Sequence, residues 1–208
     1  MIILPLHIRS ILVGLILSDG WVIFDNKKAK NALFGFAQSA DNFVYFFFVF
    51  NLLSHYCSNY PTYRTRKIEG KLKYGLQFKT RSMPCITELR SLFYPEQSTK
   101  KIIPLNIYDL LTPAALAHLI MGDGTAKDHG LILCTDPYTI QDIVRLINVL
   151  IVRYRLECNL RYHTPTQPRI YIRERSMPIL RTIPHFTKNL RLYSSLATCE
   201  SQINLNPY

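Results

Sequence analysis

The chain is predicted to be an α+β protein built from two pseudo-symmetric αββαββα repeats, and three observations predict it. An apolar phrase that stops on Asp-Gly occurs twice, as Leu12-Val13-Gly14-Leu15-Ile16-Leu17-Ser18-Asp19-Gly20 and as Leu116-Ala117-His118-Leu119-Ile120-Met121-Gly122-Asp123-Gly124. The two aspartates lie 104 positions apart in 208 residues. Arg81-Ser82-Met83-Pro84 returns as Arg175-Ser176-Met177-Pro178 at an offset of 94, so the second copy is tighter. Between these landmarks run segments that alternate apolar with basic residues, the period of half-buried antiparallel strands. Two matched carboxylates, each ending an apolar helix, suggest one active site on an internal two-fold. The expected organisation is a first repeat over 1–95, a linker over 96–111 and a second repeat over 112–208.

In the first repeat, the apolar stretch Trp21 to Phe24 follows the Asp-Gly and leads to a lysine-rich loop (Lys27, Lys28, Lys30). Leu33 to Ser39 reads as a strand, and Asp41 opens a long apolar segment through Cys57, expected to be a buried helix. Asn59 to Pro61 breaks it. Thr62 to Ile68 and Lys71 to Arg81 are strands joined by a Glu69-Gly70 hairpin turn. Pro84 begins a helix ending near Tyr94. The second repeat keeps this order. A short strand follows Gly124, then a turn at Asp128-His129-Gly130 and a strand over Leu131 to Thr135. Asp136 as N-cap and Pro137 at the first position predict a helix through Tyr154. Leu156 to His163 and Gln167 to Arg175 are strands separated by Thr164-Pro165-Thr166, and a helix starts at Met177.

Charge follows the strands. The chain carries 25 Lys and Arg against 14 Asp and Glu, a net charge of +11. Sixteen of those 25 cations, but only three of the acids, fall in 61–81 and 153–191. Lys71, Lys73, Gln77, Lys79 and Arg81 share one strand face, opposite Leu72, Tyr74, Leu76 and Phe78. Gln167, Arg169, Tyr171, Arg173 and Arg175 share another, opposite Ile170 and Ile172. Arg64 and Arg66, and Arg161 and His163, extend the pattern to the neighbouring strands. Two basic sheets suit a duplex, because Arg and Lys read guanine, Gln reads adenine, and the remaining cations neutralise phosphates. RNA is a second polyanion compatible with charge alone. A paired-carboxylate glycosidase is disfavoured, because its substrate does not call for +11.

The five cysteines (Cys57, Cys85, Cys134, Cys158, Cys199) form no Cys-x-x-Cys pair, which disfavours zinc and a disulfide framework and predicts reduced thiols. Phe43 to Phe50 is too short to span a bilayer. His7 and Arg9 interrupt the apolar N-terminus, and no cleavage site for a signal peptide follows.

On these residues the chain resembles the LAGLIDADG homing endonucleases, as a single-chain, two-motif member. The resemblance spans both motifs, the repeat and the basic strands, and Lys100-Lys101-Ile102-Ile103-Pro104 resembles the linker of some members. It implies a monomer in which the motif helices pair at the interface and two sheets form a saddle on double-stranded DNA. The implied DNA-contacting set is Gln38, Arg64, Arg66, Lys71, Lys73, Gln77, Lys79, Arg81, Arg161, Arg169, Tyr171, Arg173 and Arg175. Asp19 and Asp123 become metal-binding catalytic residues, with Lys101 the basic residue beside the first site and the carbonyls of Ser18 and Gly122 as further ligands. Paired carboxylates at helix C-termini repel one another, and a hard divalent cation such as Mg²⁺ relieves that repulsion. The implied reaction is metal-assisted phosphodiester hydrolysis giving a double-strand break. An RNA-splicing maturase, or a relic that nicks or only binds DNA, is the alternative. Family membership also implies an intron-encoded, mitochondrial protein.

Two departures from the family pattern are visible. His118 stands where a glycine is usual and is expected to be a packed core residue, with close helix contact moving towards Ala114 and Gly122. The lysine expected after Leu192-Tyr193 is Ser194, with Lys188 and Arg191 nearby.

Overall fold

A computed structural model describes residues 3–26, 28–68, 70–95 and 98–183. Its elements follow the predicted order twice. In the first half these are α1 (Leu6–Leu17), β1 (Trp21–Phe24), β2 (Ala32–Ser39), α2 (Phe43–Leu53), β3 (Thr62–Ile68), β4 (Lys71–Lys79) and α3 (Pro84–Phe93). A short helix α4 (Ile107–Leu110) lies within the segment expected to be an irregular linker. The second half has α5 (Pro113–Asp123), β5 (Gly124–Lys127), β6 (Gly130–Leu133), α6 (Ile140–Tyr154), β7 (Cys158–Thr164), β8 (Gln167–Ile172) and α7 (Met177–Arg181). Both sheets are antiparallel with the same topology, β1-β2-β4-β3 and β5-β6-β8-β7. None of the described helices is long and apolar enough to cross a membrane.

The core lies between the sheets and through the helix pair. Phe36 and Phe78 of the first sheet pack under Tyr45, Phe46 and Phe50 of α2, and Phe34 packs against Phe78. Leu131, Leu133, Ile170 and Ile172 are the wholly buried face of the second sheet. Helices α1 and α5 run between the sheets, with nearly every residue from Ile11 to Leu17 and from Ala115 to Met121 buried. They cross at very short range. A Cβ on Gly14 would lie 2.2 Å from the Ala115 carbonyl oxygen and 2.8 Å from His118 Cβ, and one on Gly122 would lie 2.4 Å from Ser18 Oγ. The second motif therefore approaches through Ala115, His118 and Gly122, not through Ala114. His118 is accommodated because the residue facing it is a glycine. Its ring leaves the crossing towards α2, where Nδ1 lies 2.9 Å from the Tyr45 hydroxyl and the imidazole stacks on Phe48.

Several elements depart from expectation. The helix expected over Asp41 to Cys57 is α2 flanked by 3₁₀ turns at Ala40–Asn42 and Ser54–Tyr56, and it leaves Phe43, Val44 and Phe47 exposed. Helix α6 starts at Ile140 and not at Asp136, because Thr139 and Asp142 form a reciprocal capping box. Leu72 and Tyr74 alternate with the lysines as expected, yet they are 62% and 58% exposed. Only Phe78 and part of Leu76 are covered, since the β3–β4 hairpin extends beyond α2. Gly70, in its turn, has φ +78°, as a tight hairpin requires. Strand β7 slips register between Tyr162 and Thr164, which takes His163 out of the alternation that began at Arg161. Strand β8 ends at Ile172, so Arg175 belongs to a following 3₁₀ turn, Glu174–Ser176. Among the cysteines, Cys85 is buried, Cys57, Cys134 and Cys158 are partly exposed, and all four are free; Cys199 lies outside the described residues.

The crossing gives a test with an unusual sign. Gly→Ala inside a helix normally stabilises by about 1 kcal/mol through propensity. Gly14→Ala should instead destabilise by about 1–3 kcal/mol, because the neighbour in the way is backbone. Thermal unfolding should show a Tm about 2–4 °C lower per kcal/mol, and a raised Tm would contradict so tight a crossing.

Candidate active site and nucleic-acid interface

The crossing brings the two motif carboxylates together. Asp19 follows Ser18, which ends α1, while α5 continues in regular form through Asp123. A Cβ on Gly122 would lie 3.2 Å from Asp19 Oδ2, so the first carboxylate sits directly over the last turn of the second helix. Lys101 is within electrostatic reach of both aspartates and donates from Nζ to the Ser18 carbonyl at 2.6 Å. The Ser18 oxygen expected as a metal ligand is thus already engaged. Tyr138 donates its hydroxyl to the Leu17 carbonyl at 2.8 Å, satisfying another unpaired acceptor at the C-terminus of α1.

Asp19 has a further partner. Gln38 Nε2 donates to Asp19 Oδ2 at 2.5 Å, and Asn42 Nδ2 donates to Gln38 Oε1 at 3.2 Å. Gln38 is only 9% exposed and lies in register with Leu76, on the sheet face that carries Phe36 and Phe78. It was expected to touch DNA, but here its amide holds the carboxylate. Asp123 has a different neighbourhood. Asp136, released from the helix-capping role expected of it, faces Asp123 electrostatically and lies 3.5 Å from Arg169.

These surroundings set the protonation of the site. Burial raises the Asp19 carboxyl, with the Gln38 hydrogen bond and the Lys101 charge opposing. Burial, with the Asp19 charge adding to it, pushes Asp123 up to about 8, against the pull of Lys101. Burial lowers Lys101 to about 8, although both carboxylates favour its charge. A divalent cation fits this junction. The two buried carboxylates repel, and their oxygens are the hard donors that Mg²⁺ takes one or two at a time, with water and phosphate completing its shell. Among the described residues, no third His, Cys, Asp or Glu joins them as a metal-binding group.

Beside Asp19 opens a cleft of about 330 Å³ lined by Trp21, Ser39, Arg64, Lys73 and Gly75 among others. It leads onto the outer face of the first sheet. Gln77 and Lys79 share that face by register, Lys79 is exposed, and Arg81 follows, donating to the His55 carbonyl. Arg66 and Lys71 sit opposite Lys73 and Ile68 in the β3–β4 ladder; their side chains lie outside the described residues. On the second sheet, Arg161 is paired opposite Arg169, with Tyr171 two residues further along β8 on the same face. Tyr171 is 6% exposed because the Arg161 guanidinium covers its ring at 3.6 Å. Arg173 and Arg175 are exposed. Ser194, Lys188 and Arg191 lie outside the described residues.

Sequence reasoning missed Asn42, Asp136, Tyr138 and Trp21. For Gln38 the signal was present: it shares its parity with the buried Phe34 and Phe36 of β2.

The profile of the LAGLIDADG DNA endonuclease family matches residues 9–180. The cytochrome b mRNA maturase bI2 of Saccharomyces cerevisiae is 31% identical over 190 residues, covering 86% of this chain and 45% of that protein. Its namesake in Debaryomyces hansenii is 30% identical over 159 residues, covering 74% and 60%. The chain thus spans about half the length of these relatives. The intron-encoded endonuclease ai4 of Dictyostelium discoideum is 29% identical over 138 residues, covering 62% and 84%. In fold, the chain resembles the homing endonuclease I-WcaI, solved bound to its DNA recognition sequence, with a TM-score of 0.81 and 22% identity over 93% of this chain and 88% of that one.

The buried charges predict a pH dependence in metal-free protein. The folded protein holds the Asp123 proton up to about 8, against 3.8 for an ordinary aspartate, so the folded state binds more protons in that interval. Stability should then fall as pH rises from about 4 to 8. Asp123→Asn should flatten that decline in EDTA and exceed the parent in Tm at pH 8. Equal pH slopes for the two proteins would contradict this.

Proposed function

This chain belongs to the LAGLIDADG DNA endonuclease family, and from that premise we propose that it is a site-specific, divalent-metal-dependent endodeoxyribonuclease that makes a double-strand break in a long duplex target. The observation that carries the reading is the junction of Asp19, Asp123 and Lys101 at the ends of two crossing helices, beside a sheet face lined with cations. A reaction on neutral substrates has no use for such a face, whereas a polyanion does.

The residues divide the work. Asp19 and Asp123 would hold the divalent cation, taken here as Mg²⁺, each serving one DNA strand, with the Gly122 backbone beside them, while the Ser18 carbonyl accepts from Lys101. A cation bound there would supply polarisation of the scissile phosphate, a readied water and stabilisation of the leaving oxygen. Gln38 keeps Asp19 oriented, through the 2.5 Å hydrogen bond that Asn42 supports from behind. Lys101 adds positive charge beside both carboxylates, where negative charge accumulates as a phosphodiester is attacked. Arg64, Arg66, Lys71, Lys73, Gln77, Lys79 and Arg81 of the first repeat, and Arg161, Arg169, Arg173 and Arg175 of the second, form the DNA surface; Tyr171, expected among them, is covered and supports Arg161 from beneath. The protein acts as a monomer, with repeats over 1–95 and 112–208 and a linker over 96–111. Its setting is organellar, the mitochondrion, in keeping with its intron-encoded family.

A second reading, an RNA-splicing maturase, is favoured by the two fungal relatives that carry that name. One experiment separates them: the protein and Mg²⁺ are incubated with DNA spanning the intron insertion site, and in parallel with the precursor RNA. The nuclease reading expects Asp19→Asn and Asp123→Asn each to slow double-strand cleavage by about three orders of magnitude, with DNA affinity within a few-fold of the parent. Undiminished cutting by either variant would remove the site assignment. Splicing stimulated equally by parent and variants, with no DNA cleavage by either, would select the maturase.

A further inference from the structure

The two halves hold the cations on and beside their sheets differently. Among the described residues, no ion pair involves Arg64, Lys73, Lys79 or Arg81 of the first half. In the second half three arginines, two on the sheet and one just after β8, each have a carboxylate: Arg161 with Asp128 at 3.0 Å, Arg169 with Asp136 at 3.5 Å and Arg173 with Glu157 at 3.7 Å. Arg161 is the most constrained. Its guanidinium carbon lies over the Tyr171 ring, 3.6 Å from the centroid, while Nη1 donates to Asp128 Oδ2. Tyr171 in turn donates its hydroxyl to the Asp128 carbonyl at 3.0 Å. Asp128 itself is fixed in a two-residue hairpin turn with His129, at φ +50° and +62°, between Lys127 and Gly130. Ring, carboxylate and turn thus hold one planar fork in a single orientation on the face turned away from the core.

A cation needed only to neutralise phosphate gains nothing from a carboxylate beside it, because the acid cancels the charge that phosphate seeks. A cation that reads a base gains a great deal, since the bidentate contact to guanine O6 and N7 depends on the orientation of the fork. Only one of Arg161's five donors is used by Asp128, which leaves others for a base edge. We propose that Arg161 is a guanine-reading residue of the second repeat and Asp128 its positioning residue. The unpaired cations of the first repeat supply the phosphate contacts. This rests on the reading of the sheets as a DNA surface.

The test is a binding-site selection from a randomised duplex library, with salt titrations of the recovered sites. Asp128→Gly is the informative variant, because glycine keeps the left-handed turn without strain and removes the carboxylate. Its preference for guanine should fall about 10-fold at one position, in the half-site bound by the second repeat, with the log–log salt slope unchanged. Arg161→Ala should relax the same position, and the double variant should relax it no further. Lys73→Ala should leave every base preference intact while reducing the salt slope by about 0.9. If Asp128→Gly tightens binding to all library members equally, the acid only relieves repulsion between the opposed Arg161 and Arg169, and the proposal is overturned. Parent protein that recovers no duplex at any salt would overturn the DNA reading itself, a different outcome.

Discussion

Everything in this protein depends on how closely α1 and α5 can approach. At the crossing each residue meets its own counterpart in the other repeat, Gly14 against His118 and Ser18 against Gly122. Contact between equivalents is what a two-fold axis through the helix pair demands. The next residue along each motif is an aspartate, so the carboxylates are forced together by the packing above them. Repulsion between them, and burial of both, works against the fold. The apolar crossing is the term that holds them there, because almost no motif side chain above the aspartates reaches water.

The halves share a topology and differ in chemistry. Register shows where they part. Trp21 pairs with Gly35 and its counterpart Thr125 with Ile132, so the position matching Gln38 is Thr135. Gln38 reaches Asp19, whereas Thr135 turns away and donates to the Pro168 carbonyl at 2.6 Å. The residue after Thr135 is Asp136, which adds negative charge near Asp123. One carboxylate therefore has a hydrogen-bond donor that favours its charge, and the other has a second acid working against its charge. The linker lysine serves the two unequally placed groups together. His118 and Tyr138 knit the halves in opposite directions, one reaching from α5 to Tyr45 and the other from the second repeat to the end of α1.

Much of this was legible in the sequence, and the exceptions have physical causes. Duplication, alternation and the Glu69-Gly70 turn located most strands to within a few residues, because period and turn chemistry are local. The start of α6 was misread because two cap signals stand three residues apart. Thr139 prevails since its bond with Asp142 is reciprocal, while Asp136 is drawn towards Arg169. Alternation gave the faces of β4 but not what covers them. Eleven residues of α2 span about 16 Å and nine residues of β4 about 30 Å, so the strand outruns its helix and leaves Leu72 and Tyr74 uncovered. The pairing of Asp19 with Asp123 was readable from the repeat. What surrounds them was not, because Gln38, Tyr138 and Asp136 reach the site across the fold.

The ion pairs of the second sheet are the least expected part of the surface. Their side chains are between a quarter and three-fifths exposed, and pairs so exposed contribute roughly 0–1 kcal/mol each. Stability alone does not account for three of them on one face of a chain with net charge +11. Nor does solubility, since each pair lowers the field of the protein. What remains is geometry. A carboxylate beside an arginine restricts where the fork points, and Arg161 is restricted a second time by the ring beneath it. Lys73 and Lys79 of the first sheet are compact charges on long stems, suited to phosphates at varied positions, while Arg161 and Arg169 of the second are planar groups beside acids. The duplicated fold thus carries two kinds of surface, one that attracts a polyanion from a distance and one shaped for contact with it.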